Sequence, residues 1–77
     1  MDTTTLEQTR DVVDYLVFMV NEFALKHKIS ATQSFEYLKK FGGIEFLDDF
    51  YDIEHCENPN ITLISLQTIC SREGGYL

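Results

Sequence analysis

The stretch ISATQSFEYLKKFGG, residues 29–43, carries both the start signal and the stop signal of a helix. Ser30 and Gln33 have the spacing of a capping box, in which each side chain bonds a backbone N–H of the first turn. Gly42 stands where a left-handed residue closes a helix, and Lys39 and Lys40 suit the negative end of the helix dipole. The pattern predicts a helix over residues 31–41 with an inward stripe of Ala31, Phe35, Leu38 and Phe41.

The segment after the double glycine resumes helical spacing and predicts a helix over residues 44–54. Its apolar positions are Ile44, Leu47, Phe50 and Tyr51. Glu45, Asp48 and Asp49 lie toward its positive end, which favours carboxylates. The glycines themselves lack the G-x-x-x-x-G-K spacing of a phosphate loop, so the sequence favours a helix corner over a phosphate site.

The segment before the capping box predicts a helix over residues 5–27. Phe18 and Leu25, seven residues apart, depart from its pattern and project among acidic and polar residues on the opposite side. Either the chain's own fold covers them, or they form an apolar patch for a partner. The inward positions expected from the spacing are Leu6, Val12, Val13, Leu16, Val17, Met19, Val20, Phe23 and Ala24.

The last segment begins at Asn58–Pro59, a cap followed by proline at the first helical position. Its isoleucines and threonines are also compatible with a strand over residues 61–70, but no other segment offers a partner strand, so a helix over 59–72 is preferred. The sequence therefore predicts one small all-α domain, residues 1–77, with about four helices and frayed ends at 1–4 and 75–77. Their approximate ranges are 5–27, 31–41, 44–54 and 59–72.

The charge balance narrows the classes of partner. Six basic and thirteen acidic residues give a net charge of −7. This sign argues against nucleic acid and against an anionic membrane surface, and it suits a basic protein partner. The amino terminus shows no signal peptide, and VVDYLVFMV is too short to span a bilayer. We therefore expect a cytoplasmic protein with Cys56 and Cys70 reduced.

Two sets of chemically capable residues lack the spacing that catalysis or metal binding needs. Tyr51, Asp52 and His55 stand on one predicted helical turn, but no nucleophile accompanies them, so we expect a contact surface or side chains that satisfy the helix end. The other set could bind zinc but contains no C-x-x-C pair. It comprises His27, His55, Cys56 and Cys70. The sequence predicts no catalytic residue, no cofactor and no metal ligand.

Three segments resemble a family of short uncharacterised bacterial proteins, a domain of unknown function. They are VFMVNEFALKHKIS, FEYLKKFGGIEFLDDFYDIEH and TICSREGG, and the similarity runs from about Asp14 to Gly75. The resemblance implies a small all-α fold. Members of that family are often encoded beside, or fused to, ADP-ribosyltransferase-like toxin domains, which implies an antitoxin or immunity role. It supplies no catalytic residues.

The sequence as a whole predicts a non-enzymatic protein-interaction module whose partner is another protein. The net charge suits a basic partner, and the resemblance implies one that is encoded nearby. Its candidate interface residues are Phe18, Leu25, Tyr51, Asp52 and His55. The first alternative is a self-associating domain in which the first helix forms a homodimer. A DNA-binding regulator is a weaker alternative, because GIEFLDDFYDIEH offers no Lys or Arg to phosphates.

Overall fold

The computed structural model describes the backbone of residues 3–77 and the side chains of residues 9–77. Five helices and no strand occur in this part of the chain, which confirms the predicted all-α bundle and excludes the strand over 61–70. The helices are α1 (Thr3–His27), α2 (Ala31–Lys40), α3 (Gly43–Asp49), α4 (Tyr51–Glu54) and α5 (Pro59–Arg72). Of the predicted frayed start, Thr3 and Thr4 belong to α1, and residues 1 and 2 lie outside the described residues.

The caps of α2 and α5 form as the sequence predicts. The Gln33 amide donates to Ser30 Oγ over 3.0 Å, and the Ser30 amide donates to Gln33 Oε1 over 2.9 Å. At α5 the side chain of Asn58 accepts from the Asn60 amide over 2.9 Å, with Pro59 as the first helical residue. Each cap satisfies a backbone N–H that the first turn leaves without a partner.

The double glycine closes α2 and opens α3. Gly42 has φ +84°, a left-handed conformation that glycine adopts without steric cost. Gly43 is buried and has no room for a side chain, because a Cβ there would lie 2.7 Å from Leu38 Cδ2 and 3.4 Å from Cys70 Sγ. The two glycines are therefore needed for different reasons, one for backbone conformation and one for space.

The predicted continuous helix over 44–54 is wrong. The chain bends at Phe50, whose φ of −110° and ψ of 22° end α3 and begin α4. The Phe50 carbonyl then accepts from the Glu54 amide over 2.8 Å, which starts the single turn of α4. The bend directs Tyr51 onto α1 and Glu54 onto α5, two contacts that the helical spacing alone does not reveal.

The core lies where α1, α2, α3 and α5 meet. Its fully buried apolar side chains are Met19, Phe23, Leu38, Leu47, Leu66 and Cys70. Two polar side chains are also fully buried, and one of them, Ser34, donates a hydrogen bond of 2.7 Å to the Val20 carbonyl. This bond fixes where α2 crosses α1.

The carboxyl-terminal residues pack against α2. The Leu77 amide donates to the Tyr37 hydroxyl over 2.9 Å, and the ring of Tyr76 contacts that of Tyr37 edge-on with centroids 5.4 Å apart. Gly75 permits this path, because a Cβ there would clash with the Tyr37 hydroxyl. The expectation of fraying at 75–77 does not anticipate these contacts.

Candidate interaction surfaces

The two apolar residues that depart from the α1 pattern lie at the surface. Phe18 is 44% exposed and Leu25 is 73% exposed. The described side chains of the chain therefore do not cover them as a core would. Of the two explanations that the sequence leaves open, this exposure argues against covering by the chain's own fold.

The second candidate surface is the turn of α4. The rings of Tyr51 and His55 are stacked, with centroids 4.2 Å apart and an interplanar angle of 12°. Nδ1 of His55 lies at hydrogen-bond distance from the Tyr51 carbonyl, which also accepts from the His55 amide over 3.0 Å, so the imidazole adds a second contact at the helix end. Asp52 is exposed beside them. The structure thus brings Tyr51 and His55 into contact and leaves Asp52 facing solvent.

Two contacts hold α4 against the rest of the bundle. The ring of Tyr51 meets that of Tyr15 at 68°, with centroids 5.5 Å apart. Thr62 Oγ1 of α5 donates to Glu54 Oε2 over 2.9 Å. Burial raises the pKa of Tyr15; the Thr62 side chain opposes this shift, and the negative charge of Glu54 adds to it. A four-residue helix thereby acquires a fixed position.

The electrostatic surroundings of Tyr51 connect α4 to the outer face of α1. Burial raises the pKa of Tyr51, and the negative charges of Asp11 and Asp52 raise it further. Tyr15, whose ring contacts that of Tyr51, precedes Phe18 by three residues, so Tyr15 and Phe18 are neighbours on the surface of α1. The sequence-predicted residues Phe18, Tyr51, Asp52 and His55 therefore occupy adjoining surfaces rather than unrelated ones.

An apolar groove, which the sequence places in the core instead, lies between α1, α2 and α3. It encloses about 280 Å³. Val13 and Val17 of α1 are 51% and 56% exposed, and Phe35 of α2 is 45% exposed, so their prediction as inward residues is wrong. The remaining apolar lining consists of Leu16, Val20, Ala31 and Ile44, of which Ala31 is also exposed although the sequence predicts it as an inward residue. We refer to this set of seven residues as the apolar groove.

The comparison with protein-family models identifies the chain over more than half of its length. Residues 14–72 match the family described as "Protein of unknown function (DUF3791)". The chain belongs to the DUF3791 family. The match confirms the predicted membership of a family of unknown function, and it extends over most of α1 and all of α2 to α5. Searches of curated proteins and of solved structures each find no match.

The DUF3791 region contains both cysteines, and they differ in environment. Cys56 is exposed, with Sγ 3.6 Å from His55 Nε2, and Cys70 is buried. Burial raises the pKa of the Cys70 thiol, and a hydrogen bond from the Gly43 backbone opposes that shift. Among the side chains of residues 9–77, no group of three or more His, Cys, Asp or Glu is placed to hold a metal ion.

Within the described part of this DUF3791 chain, none of the helices combines the length and the apolar character needed to cross a bilayer. The longest, α1, has 25 residues. The face opposite its apolar stripe carries acidic side chains, with Asp11, Asp14 and Glu22 among them.

Sequence reasoning missed three features of these surfaces. The contact between Thr62 and Glu54 spans eight residues across a turn, and no periodic pattern marks it. The apolar groove exists because the shorter helices cover only part of α1. The spacing of apolar residues within α1 does not predict how far that cover extends. The packing of Tyr51 on Tyr15 follows from the bend at Phe50.

Proposed function

We propose that this chain is a non-enzymatic protein-interaction module that binds a basic, partly apolar surface of another protein. The binding surface is the acidic corner, which we define as residues 49–55, together with the adjoining face of α1 that carries Phe18. Leu25 lies further along α1 and extends this surface by two helical turns.

One observation carries the proposal. Phe50 and Ile53 are 49% and 63% exposed on the acidic corner, in a segment, residues 42–71, that contains no Lys or Arg. The acidic residues of that segment are Glu45, Asp48, Asp49, Asp52, Glu54 and Glu57. Apolar side chains surrounded by one sign of charge are suited to a partner with the opposite sign, which the charge attracts and the apolar contact retains.

The stacked pair of Tyr51 and His55 supports this use of the corner. Aromatic side chains lose little conformational entropy on binding and contribute large contact areas. Tyr51 is already held by Tyr15, and His55 by the Tyr51 ring and carbonyl. The corner therefore presents a preformed surface, which lowers the free energy needed to order it.

We further propose that the chain is an antitoxin or immunity protein that masks a toxin encoded beside it. The support for this version is the resemblance given above, together with the acidic corner, which would complement a basic toxin surface. Co-expression of the chain with the product of the neighbouring gene tests it by pull-down and by growth rescue. A stable complex with rescue supports this version, and the absence of both overturns it.

Charge reversal tests the surface itself. The variant Asp52→Lys should weaken capture of that partner at least about fivefold and slow its association. Glu36→Lys is the matched control, because Glu36 is an exposed acid on α2 outside the corner. Capture by the wild type should also decrease as salt is added. Equal losses in the corner variant and the control would refute the corner as the binding surface.

A further inference from the structure

Helix α1 is longer than the elements that pack against it. Its 25 residues span about 37 Å, whereas the 10 residues of α2 and the 14 of α5 span about 15 Å and 21 Å. The whole molecule measures 42 × 22 × 21 Å, so α1 defines its long axis. Thr9, Arg10 and Asp11 are exposed, and Val12 is only half-buried. The part of α1 from residue 9 to residue 13 therefore has an uncovered face.

The apolar stripe of α1 continues from the core onto this uncovered face. Val20 and Ala24 are 8% and 6% exposed, whereas Val13 and Val17 on the same stripe are 51% and 56% exposed. The spacing of these four residues alternates between four and three, as in the seam of a coiled coil. One half of a continuous helix-packing seam is thus covered by this chain and the other half is open.

The charges around the apolar groove differ from those of the rest of the chain. On a helix, residues three or four apart are neighbours, which places Arg10 beside Val13, Asp14 beside Val17, Lys39 beside Phe35 and Asp48 beside Ile44. All four charged residues are exposed. The rim therefore carries two basic and two acidic groups, although the chain as a whole has a net charge of −7.

We propose that a second copy of this chain occupies the apolar groove, with the Val13 and Val17 ridge of each α1 seated against the groove of the other. A two-fold symmetric contact brings together the same patch of both copies, so the patch has to be self-complementary, and a ridge beside a groove meets that condition. Its balanced rim allows two copies to meet without local like-charge repulsion. A strongly basic partner gains no net attraction there, in contrast to the acidic corner.

The size of the molecule is consistent with this occupant. A standard interface removes about 800 Å² from each partner, roughly 15% of the 5259 Å² surface of this chain. Two valines do not supply that area, so the contact has to include Phe35 and Ile44 on the groove walls and the charged residues of the rim. A chain of this length buries only about 60–65% of its unfolded surface by itself, so the dimer adds apolar burial where the monomer has least.

Sedimentation equilibrium over a wide concentration range tests the proposal, because a self-association shifts with protomer concentration. The wild type should approach twice the monomer mass of 8.9 kDa. Val17→Arg and Phe35→Asp should each raise the dimer dissociation constant at least about tenfold. Ile64→Arg is the matched control: Ile64 is 59% exposed on α5, away from the groove, and its substitution should change the constant less than about twofold. Circular dichroism of each variant verifies its helix content.

Methyl NMR of the wild type gives a second test that needs no variant. The signals of Val13 and Val17 should shift with concentration, while those of Ile61 and Ile64 stay fixed. If the protein stays monomeric at every concentration, the proposal is wrong and a second copy does not occupy the groove. A dimer whose concentration-dependent chemical shift changes lie on α5 also overturns the proposal. So does a dimer that Ile64→Arg disrupts and Val17→Arg leaves intact.

The proposed dimer does not depend on the proposed function. The two are distinguished by how each complex responds to added salt. Screening reduces repulsion between two copies of net charge −7, so the dimer should persist or tighten as salt rises. A complex formed through the acidic corner should weaken under the same change. A dimer that dissociates as salt rises would contradict the groove as its interface.

Discussion

The hydroxyl of Thr62 in α5 donates a hydrogen bond of 2.9 Å to Oε2 of Glu54, the last residue of α4. Thr62 is fully buried and Glu54 is half-buried. A helix of four residues has almost no stability of its own, because nucleation fixes several residues for each hydrogen bond formed. The position of α4, and with it the acidic corner, therefore depends on this bond and on the Tyr15–Tyr51 contact.

Thr62→Val should lower the free energy of unfolding by about 1 kcal/mol, because valine keeps the shape of threonine and removes the donor to Glu54. Urea denaturation near neutral pH measures the loss. Thr68→Val is the control: Thr68 is exposed, and its hydroxyl donates only to the Ile64 carbonyl of the same helix. Its effect should stay within about 0.5 kcal/mol. Equal losses in both variants would show that the Thr62 bond has no special role.

Substitutions at the double glycine should separate the need for space from the need for a left-handed backbone. Gly43→Ala introduces a Cβ 3.2 Å from Leu38 Cβ and should destabilise by about 1–3 kcal/mol through overpacking. Gly42→Ala has room, with Glu73 Cγ 3.9 Å away, but strains a φ of +84° and should destabilise by about 1–2 kcal/mol.

Asparagine distinguishes these two causes, because it tolerates the left-handed region better than alanine does. Gly42→Asn should recover part of the stability that Gly42→Ala loses. Gly43→Asn should be at least as destabilising as Gly43→Ala, since its side chain is larger. Thermal unfolding of the four variants is the measurement, and recovery at Gly43 instead of Gly42 would contradict the assignment.

The features that the sequence predicts well are those settled by neighbouring residues. The capping box of Ser30 and Gln33, the left-handed Gly42 and the cap at Asn58 each depend on a few adjacent positions, and all three form. Apolar spacing also identifies the direction in which each helix faces. It does not report how far a neighbouring helix extends, which is why Val13, Val17 and Phe35 lie at the surface although their spacing places them in the core.

The break at Phe50 has a similar explanation. Helical spacing continues through residues 44–54, and neither glycine nor proline marks a stop. The bend is compensated by contacts with distant parts of the chain, those of Tyr51 with Tyr15 and of Glu54 with Thr62. Local propensity cannot predict a bend whose stabilisation is tertiary.

Lys28→Gly should stabilise the protein by about 1 kcal/mol. Lys28 follows α1 with φ +56°, and the Ile29 amide donates to the Ala24 carbonyl over 3.0 Å, the geometry of a Schellman closure. A lysine in this left-handed conformation is strained by its Cβ, whereas a glycine is not. Lys26→Gly is the control, because Lys26 lies inside α1 and glycine there should destabilise by about 1 kcal/mol. Thermal unfolding that shows a loss in both variants would contradict the argument.

Acid should weaken the fold through His27. Its Nε2 atom is buried and has no hydrogen-bond partner among the described residues, and its ring lies against Phe23 with centroids 4.2 Å apart. Burial lowers the pKa of His27 from the ordinary 6.5, and the charge of Lys26 adds to this shift. Below pH 6.5 the unfolded chain therefore binds a proton that the folded chain resists, so this contribution to stability is lost as the pH falls through the folded pKa.

His27→Leu should reduce that acid sensitivity, because leucine keeps an apolar contact with Phe23 and removes the titrating group. The variant should lose less thermal stability than the wild type between about pH 7.5 and pH 5.5, the range in which histidine changes charge. At the upper pH it should match or exceed the wild type, since it leaves no buried nitrogen without a partner. Thermal unfolding at both values measures the difference, and an identical decrease in the two proteins would exclude His27 as the source.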